Sequence, residues 1–345
     1  MAKWFIVPIR NRRDVKKMKV MKVRTKIELI ISLGVIILVS IIGVASVTRI
    51  ITDSNDNVAT FIRNSNGNIW EVNEINLQAA IDDLNGDGGY VKVGDDITLT
   101  SPIQLDGDHY CELDFENHKV TLSNDISFII VESTSFATVK NVRVILTSDH
   151  TASVLHLRLP SGSGWSDKIR YNNFENIVIQ NTGYWIPGVG YGEHNYTGIH
   201  LEIKADSNFL CNTFRNIQMF GAGTGIYLEC DHETGWGNGN YFEDIWIDQF
   251  DTAIWFSLTA DSNNGFNQNV FQHIKAQSAT FSRYGVRDIS RNANHFDHVL
   301  MWDWWVTENP VHEWSLTNRA YRTYICAHLI DEINDNGLYT TMAKP

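Results

Sequence analysis

The segment Asn240-Tyr-Phe-Glu-Asp-Ile, residues 240–245, decides the fold, because its pattern of Asn-x-Phe-x-polar-Ile/Val recurs along the chain. The copies begin at Asn172, Asn212, Asn240, Asn269 and Asn294, which are 40, 28, 29 and 25 residues apart. A repeat of this length with several short apolar runs is typical of a solenoid, since one copy cannot bury its apolar face alone and stacked copies share a core. We therefore expect one buried column of rings from Phe174, Phe214, Phe242, Phe271 and Phe296.

A second short run follows each of the first four copies, beginning at Gly198, Gly225, Ala253 and Gly285. These runs alternate apolar and polar residues, which is the period of a β-strand. Asn, Gly, aromatic and β-branched residues dominate the copies, whereas a helical repeat would be rich in Ala, Leu and Glu. The sequence therefore predicts an all-β fold, a parallel β-helix of about seven or eight coils, in preference to a helical solenoid.

One polar residue repeats inside every copy of the motif. It is found at Asn176, Asn216, Asp244, His273 and His298. Stacked coils lie about 4.8 Å apart, so a side chain at one turn can hydrogen-bond to its own copies above and below. We expect these five side chains to form a ladder that satisfies buried backbone groups.

The stretch before the repeats carries a different pattern. Apolar residues from Ile75 to Leu84 have helical spacing, and a glycine-rich turn and an alternating run from Tyr90 to Val93 follow them. This order predicts a short helix, a tight turn and strands. The stretch resembles the capping segment of pectate-lyase-like β-helices and phage tailspikes. The matching residues are Gln78, Ala80, Ile81, Asp82, Gly88, Gly89, Val91, Pro102, Ile103 and Leu105.

The resemblance implies a right-handed parallel β-helix with a short N-terminal capping helix. In the family that it resembles, one strand face commonly holds the active site, with paired carboxylates for hydrolysis or with calcium and a basic residue for lyase chemistry. The characteristic catalytic motifs of polygalacturonases and pectate lyases are missing from this chain. The nearest fragment is Trp246-Ile-Asp248, which is followed by Gln249 where the pectate-lyase motif has His. The resemblance therefore leaves the activity open.

An uncharged run of nineteen residues extends from Leu29 to Val47, which is long enough to cross a hydrocarbon core of about 30 Å as one helix. Its N-terminal flank is rich in Lys and Arg, so the positive-inside bias keeps that flank in the cytoplasm and sends the following chain outside. A signal peptide cleaved after Gly43-Val-Ala45 is the alternative, and it would give a secreted protein.

These signals predict five segments. They are a cytoplasmic basic segment at 1–28, a transmembrane signal anchor at 29–48, a polar linker at 49–70, the β-helix at 71–315 and a C-terminal cap at 316–345. The cap is predicted because the repeat is lost after Trp314. We expect a membrane-anchored protein whose β-helix is extracellular.

The charge of the predicted external part argues against nucleic-acid partners. Residues 50–345 hold 17 basic and 38 acidic side chains, and such a surface repels phosphate backbones. The four cysteines, at positions 111, 211, 230 and 326, lack metal-site spacing. They are interpreted as small buried apolar residues, with a Cys211–Cys230 disulfide as the alternative.

Candidate functional residues collect on one outer strand face, because alternate side chains of the Gly-Ile-x-Leu runs point outward. Two long turns, 181–197 and 231–239, border that face, and long loops on a regular scaffold often carry binding residues. The candidates for catalysis are Glu202, Glu229 and Arg287. The candidates for substrate binding are His200, Tyr227, Trp255, Trp236, Asp231, His232 and Trp185.

Aromatic residues interleaved with Glu and His suit an uncharged or basic glycan, because rings pack on sugar faces and carboxylates accept hydroxyl hydrogen bonds. The first hypothesis is thus an extracellular β-helix that binds or processes polysaccharide, as a lectin, glycoside hydrolase or polysaccharide lyase. The second is a non-catalytic structural or adhesin protein of a cell surface or virion. No cofactor is expected, with calcium left open, and a homotrimer is one candidate assembly.

Overall fold

The computed structural model describes most of the chain from residue 47 onward. The described residues are 47–52, 58–63, 69–72, 77–83, 88–108, 110–146, 149–181, 185–186, 190–191, 195–258, 265–277, 284–292, 294–302, 314–321, 324–327, 333–335 and 341–343. The predicted membrane span lies almost wholly outside these ranges. Within them, no helix has both the length and the apolar character needed to cross a bilayer.

The described elements are one short helix and a long series of strands. The helix α1 spans Leu77–Asp83. The first strands are β1 (Val47–Thr52), β2 (Val58–Arg63), β3 (Ile69–Val72), β4 (Gly89–Val93), β5 (Ile97–Leu99), β6 (Ile103–Asp108), β7 (Cys111–Asp114), β8 (Lys119–Leu122), β9 (Ile129–Ser135), β10 (Thr138–Leu146), β11 (Ser153–Leu159), β12 (Lys168–Arg170), β13 (Asn173–Asn181), β14 (Trp185–Ile186), β15 (Gly190–Tyr191) and β16 (Thr197–Ile203). The later strands are β17 (Asn208–Leu210), β18 (Thr213–Phe220), β19 (Thr224–Cys230), β20 (Trp236–Asn238), β21 (Tyr241–Asp248), β22 (Thr252–Leu258), β23 (Gly265–Asn267), β24 (Val270–Gln272), β25 (Lys275–Gln277), β26 (Tyr284–Asn292), β27 (His295–Trp302), β28 (Trp314–Tyr321), β29 (Tyr324–Ala327), β30 (Ile333–Asp335) and β31 (Thr341–Ala343).

The chain divides into two compact units, residues 1–67 and 68–345. In the first unit, β1 and β2 pair antiparallel, and apart from Val47 and Thr48 they lie in the segment predicted as a polar linker. In the second unit, all described pairs are parallel except the short hairpin of β14 and β15. The expectation of an all-β parallel β-helix is therefore confirmed for the second unit.

Parallel strands stack into columns along the second unit. One column runs β3-β4-β7-β10-β13-β18-β21-β24-β27-β29-β31, and a second runs β9-β11-β16-β19-β22-β26-β28-β30. A third column, β12-β17-β20-β23, branches from the end of β9. The first column has eleven described strands, more than the seven or eight coils expected, because strands without the Asn-x-Phe motif continue it at both ends, including β29 and β31.

A column of phenylalanine rings fills the interior, as the sequence predicts. Phe174, Phe214, Phe242, Phe271 and Phe296 are fully buried. Successive ring centroids are 5.1, 4.9, 4.7 and 4.7 Å apart, and the planes differ by at most 9°. Each ring therefore packs against its copies one coil above and below.

A second internal column is a ladder of buried amides from the first residue of each motif. The Nδ2 of Asn172, Asn212, Asn240 and Asn269 donates to the Oδ1 of the next asparagine, the last acceptor being Asn294, at 2.9–3.1 Å. The same oxygens accept the backbone N–H of the preceding asparagine at 3.1–3.2 Å. These side chains are no more than 1% exposed. The ladder thus satisfies backbone groups in the interior of the turn.

The polar position expected to form this internal ladder has another role. Asn176, Asn216, Asp244, His273 and His298 have left-handed backbone conformations with φ of 50–56°, which Asn, Asp and His adopt more readily than other non-glycine residues. Asn176 accepts a hydrogen bond from Asn216 at 2.8 Å, and this pair is exposed to solvent. The position therefore bends each strand, and its ladder lies on the outside. The prediction that it satisfies buried groups is wrong.

Of the three cysteines whose side chains are described, one differs from the expectation, and the side chain of Cys326 lies outside the described part. Cys111 and Cys230 are buried, whereas Cys211 is exposed. Cys211 and Cys230, both described, are not joined by a disulfide. The alternative of a covalent link between these coils is therefore not realised.

Replacing Phe242 with alanine should cost about 3–5 kcal/mol of unfolding free energy, because the cavity would open between two stacked rings that cannot collapse onto each other. Chemical denaturation of the full chain measures this loss of unfolding free energy. Phe136→Ala removes a partly exposed ring and should cost about 1 kcal/mol or less. An equal loss in the two variants would contradict the buried column.

Replacing Asn240 with alanine should cost about 2–5 kcal/mol, because the Asn212 Nδ2 and backbone N–H would both lose their acceptor in the interior. The matched control is Asn176→Gly, which removes an exposed ladder amide and keeps the left-handed backbone accessible. We expect that control to cost less than about 1 kcal/mol in the same denaturation experiment. A larger loss for the control than for Asn240→Ala would refute the assignment of the internal ladder.

Candidate functional site

The outer face of β11, β16, β19, β22 and β26 carries a column of stacked side chains. In-register pairing aligns His156, His200, Tyr227, Trp255 and Arg287 on consecutive strands. The ring centroids of the first four are 4.6, 4.6 and 4.8 Å apart. The Arg287 guanidinium carbon lies 4.4 Å from the Trp255 ring centroid. This outer column brings together four of the predicted site residues.

Stacking within the outer column covers the ring faces. Trp255 has Tyr227 against it and the Arg287 guanidinium over the ring, and Arg287 also lies 5.0 Å from the Tyr284 ring. His200 is only 8% exposed because it is stacked between His156 and Tyr227. The outer column therefore presents mainly ring edges and polar atoms to solvent.

Two carboxylates run beside the outer column, because Glu202 and Glu229 pair in register on β16 and β19. The Oε2 of Glu202 lies 3.3 Å from His156 Nε2, and the Oε2 of Glu229 lies 3.1 Å from His200 Nε2. The ammonium of Lys204 contacts the other oxygen of Glu202. Two imidazoles, two carboxylates and one ammonium thus form a single polar cluster.

The cluster shifts the ionisation of its members. The contact with His156, assisted by Lys204, lowers the pKa of Glu202 to about 2, although burial opposes the shift. Burial lowers the pKa of His200, and its contact with Glu229 opposes that change. Burial also raises the pKa of the Tyr227 hydroxyl. At neutral pH the site therefore holds an ionised Glu202 and an uncharged His200.

The remaining predicted site residues do not belong to the stack of the outer column. Asp231 and His232 follow the end of β19, and His232 Nδ1 lies 3.2 Å from the Thr234 hydroxyl oxygen. Trp236 begins β20 in the third column, where its ring centroid is 6.0 Å from that of Trp165. The side chain of Trp185 lies outside the described residues. Among the predicted residues with described side chains, only Trp236 therefore lies in a different column of strands.

Sequence reasoning missed His156, which is the first ring of the outer column. The strand that carries it, Ser153–Leu159, alternates apolar and polar residues but lacks the Gly-Ile-x-Leu run. Its alignment with β16 follows from the pairing of Leu155 with Ile199. The alternation alone could have found it, had strand copies without the glycine been sought.

A second missed feature is an exposed aromatic stack of Tyr110, Phe136 and Tyr171. Their ring centroids are 4.8 and 5.2 Å apart, and the three side chains are 38–68% exposed. Phe136 and Tyr171 have φ of 64° and 56°, a conformation that bulky residues rarely adopt. The sequence signal for Phe136 and Tyr171 is that they immediately precede the turn residues Ala137 and Asn172.

Two groups of described side chains could hold a metal ion. The first is His156, His200 and Glu202, and the second is Glu243, Asp244 and His273. In each group, one ligand atom per residue lies within 4.8 Å of the others. The first group is largely buried, whereas two members of the second are exposed.

Comparisons with known proteins give remote structural likenesses alone. No protein-family model matches the chain, and no curated protein matches its sequence. The chain is similar to sacteLam55A from Streptomyces sp. SirexAA-E, with 10% identity and a TM-score of 0.43, over 84% of this chain and 55% of that one. It is also similar to ORF18 of Geobacillus virus E2, with 12% identity and a TM-score of 0.42, over 77% of this chain and 56% of that one. The chain thus matches about half the length of each, and neither likeness decides between the two candidate functions.

The depressed pKa of Glu202 predicts a pH-dependent contribution to stability. Because its pKa falls from 4.5 unfolded to about 2 folded, the stabilisation is present above pH 4.5 and disappears as the pH falls towards 2. Glu202→Gln should therefore be less stable than the parent by at most about 3 kcal/mol near neutral pH, with the difference shrinking to near zero at pH 2. Denaturation at several pH values, with chelator present, measures this difference. A difference that stays constant from pH 7 to 2 would contradict the ionisation argument.

Proposed function

We propose that the chain is a carbohydrate-binding β-helix whose binding face is the outer column with Glu202 and Glu229 beside it. The observation that supports this proposal is the in-register alignment of aromatic and cationic groups with two carboxylates on one strand face. Ring edges supply apolar contact with a sugar, and the carboxylates and the Tyr227 hydroxyl supply hydrogen bonds to its hydroxyls. An uncharged or basic glycan suits such a face better than a polyuronate.

The proposal extends to the hand of the coil, its superfamily and its location. We infer a right-handed coil of the pectate-lyase-like superfamily, from the resemblance of residues 75–105 and from the strong preference of parallel β-connections for the right-handed crossover. The uncharged run 29–47 supports attachment to a membrane and an extracellular β-helix. The acidic charge of residues 50–345 disfavours nucleic acid as a partner.

Binding has stronger support than hydrolysis. Glu202 and Glu229 lie on neighbouring strands, whose backbones are about 4.8 Å apart, and retaining glycosidases hold their two carboxyl groups about 5–5.5 Å apart. However, Glu202 is ionised with a pKa of about 2 and already bound to His156 and Lys204, so it has no proton to donate. Asp248, whose pKa burial raises to about 6, lies in β21 of another column. Of the two paired carboxylates, Glu229 is therefore the candidate general acid.

The second candidate is a non-catalytic structural protein of a cell surface or virion, and one observation favours it. The rings of the outer column stack on one another at 4.6–4.8 Å, so part of their area serves the scaffold. On that hypothesis the outer column stabilises the coil and Trp255 has no ligand.

A glycan array and a reducing-end assay on the full chain separate the candidates. If the outer column binds sugar, Trp255→Ala should abolish glycan retention while the far-ultraviolet circular dichroism stays unchanged. Glu229→Gln should keep glycan retention whether the protein is a lectin or an enzyme. In an enzyme it should also lower turnover by about 10²–10⁴-fold. The matched control is Trp246→Ala, which removes another partly exposed indole from β21, in a different column.

Three results bear on the proposal. Loss of retention in Trp255→Ala and not in Trp246→Ala supports it. Loss in Trp246→Ala alone would move the site to another face. A parent chain that retains no glycan, with Trp255→Ala changing only its thermal midpoint, would favour the structural candidate.

A further inference from the structure

We propose that His156, His200 and Glu202 form a binding site for one divalent transition-metal ion of the zinc type. Register on β11 and β16 aligns the two histidines on neighbouring strands, and Glu202 follows His200 on the same face of β16. One ligand atom from each residue lies within 4.8 Å of the other two. The site is independent of glycan binding, because it needs only these side chains.

The contact between His156 and Glu202 has the geometry of shared ligands more than of a hydrogen bond. The Nε2 of His156 is buried and lies 3.3 Å from Glu202 Oε2, yet it makes no hydrogen bond. A buried ring nitrogen beside a carboxylate oxygen is normally hydrogen-bonded. A cation between the two atoms would satisfy both of their lone pairs.

The spacing requires a small rearrangement of side chains. Zinc bonds to His nitrogen and Glu oxygen are about 2.0–2.2 Å long, so ligand atoms around a tetrahedral ion are about 3.4 Å apart. The His156 and His200 rings are parallel, with centroids 4.6 Å apart and an interplanar angle of 2°. Tilting the two rings toward each other about their χ2 bonds would close this gap, and the strands would stay in place.

The orientation of the His200 ring also supports the geometry. Ser153 Oγ lies 3.0 Å from His200 Nδ1. Such a partner orients the ring and leaves Nε2 as the ligand atom.

The charges around the site also favour a cation. Glu202 and Glu229 bring two negative charges, and the Lys204 ammonium brings one positive charge to the Glu202 oxygen that faces away from His156. Lys204 therefore does not occupy the oxygen that the ion would use. Glu229, which contacts His200 Nε2 at 3.1 Å, can turn to become a fourth ligand or can bind a metal-held water.

The kind of donor atoms selects the ion. Two imidazoles and one carboxylate suit zinc and its transition-metal neighbours, whereas calcium and magnesium prefer sites built wholly from oxygen. The other group, Glu243, Asp244 and His273, is mostly oxygen and more exposed. The first group is therefore the better site for zinc.

Titration calorimetry of the metal-free full chain with Zn²⁺ tests the proposal. We expect one high-affinity equivalent in the parent and no comparable heat with Ca²⁺. His156→Gln and Glu202→Gln should each weaken Zn²⁺ binding by at least about tenfold. Loss of a residue that only supports a metal ligand already weakens affinity by about that factor, and loss of a ligand should cost no less. His273→Gln is the matched control, because it removes a histidine from the other group, and it should leave the affinity unchanged.

A second measurement needs no substitution. Co²⁺ in place of Zn²⁺ should give visible absorption bands of a four-coordinate site with imidazole ligands, and addition of Zn²⁺ should remove them. Absence of both the calorimetric site and the Co²⁺ bands would overturn the proposal. So would a loss of affinity in His273→Gln with none in His156→Gln or Glu202→Gln. Because no glycan is present, a negative result in the glycan assays leaves this test unaffected.

Discussion

The register between coils depends on the buried asparagine ladder. Each Oδ1 accepts both a side-chain and a backbone N–H from the asparagine one coil before it, so a shift of one residue would leave two buried donors without an acceptor. Each such donor would cost about 1–3 kcal/mol. The apolar contacts alone could tolerate some sliding, because stacked phenylalanines resemble one another along the column. The amides therefore define which residue of one strand lies above which residue of the next.

The outer column is a consequence of that register. Tyr227 lies over His200, and Trp255 over Tyr227, because their strands pair in register. Parallel in-register strands bring equivalent side chains to about 4.8 Å, which is also a favourable distance for stacked rings. The same spacing brings Glu202 and Glu229 together, and the Lys204 ammonium on Glu202 offsets the repulsion. Chemistry at this surface is thus built from repeated positions and not from a single loop.

The sequence predicted the features that repeat and missed those that do not. The phenylalanine column could be predicted because the motif spacing defines it, and the outward direction of Tyr227 and Glu229 follows from alternation in one strand. The roles of the two polar positions could not be separated, because a buried ladder and a left-handed bend both favour asparagine. His156 was missed because its strand lacks the glycine, although its neighbours pair in register with β16. After residue 314 the described strands still pair within the columns, since backbone pairing can continue where the side-chain motif ends.

Packing inside the coil decides which strands of the outer column begin with glycine. A Cβ on Gly225 would lie 2.6 Å from both the Ala253 carbonyl oxygen and the Ile247 side chain, so only glycine fits at that coil. One coil later the equivalent residue is Ala253, and the local packing there admits a methyl group. The glycine therefore reports close packing inside the coil and not the chemistry of its outer face. A search for functional strands by the glycine would find tightly packed coils, whereas the polar residues two and four positions later, at Tyr227 and Glu229, determine what the surface can bind.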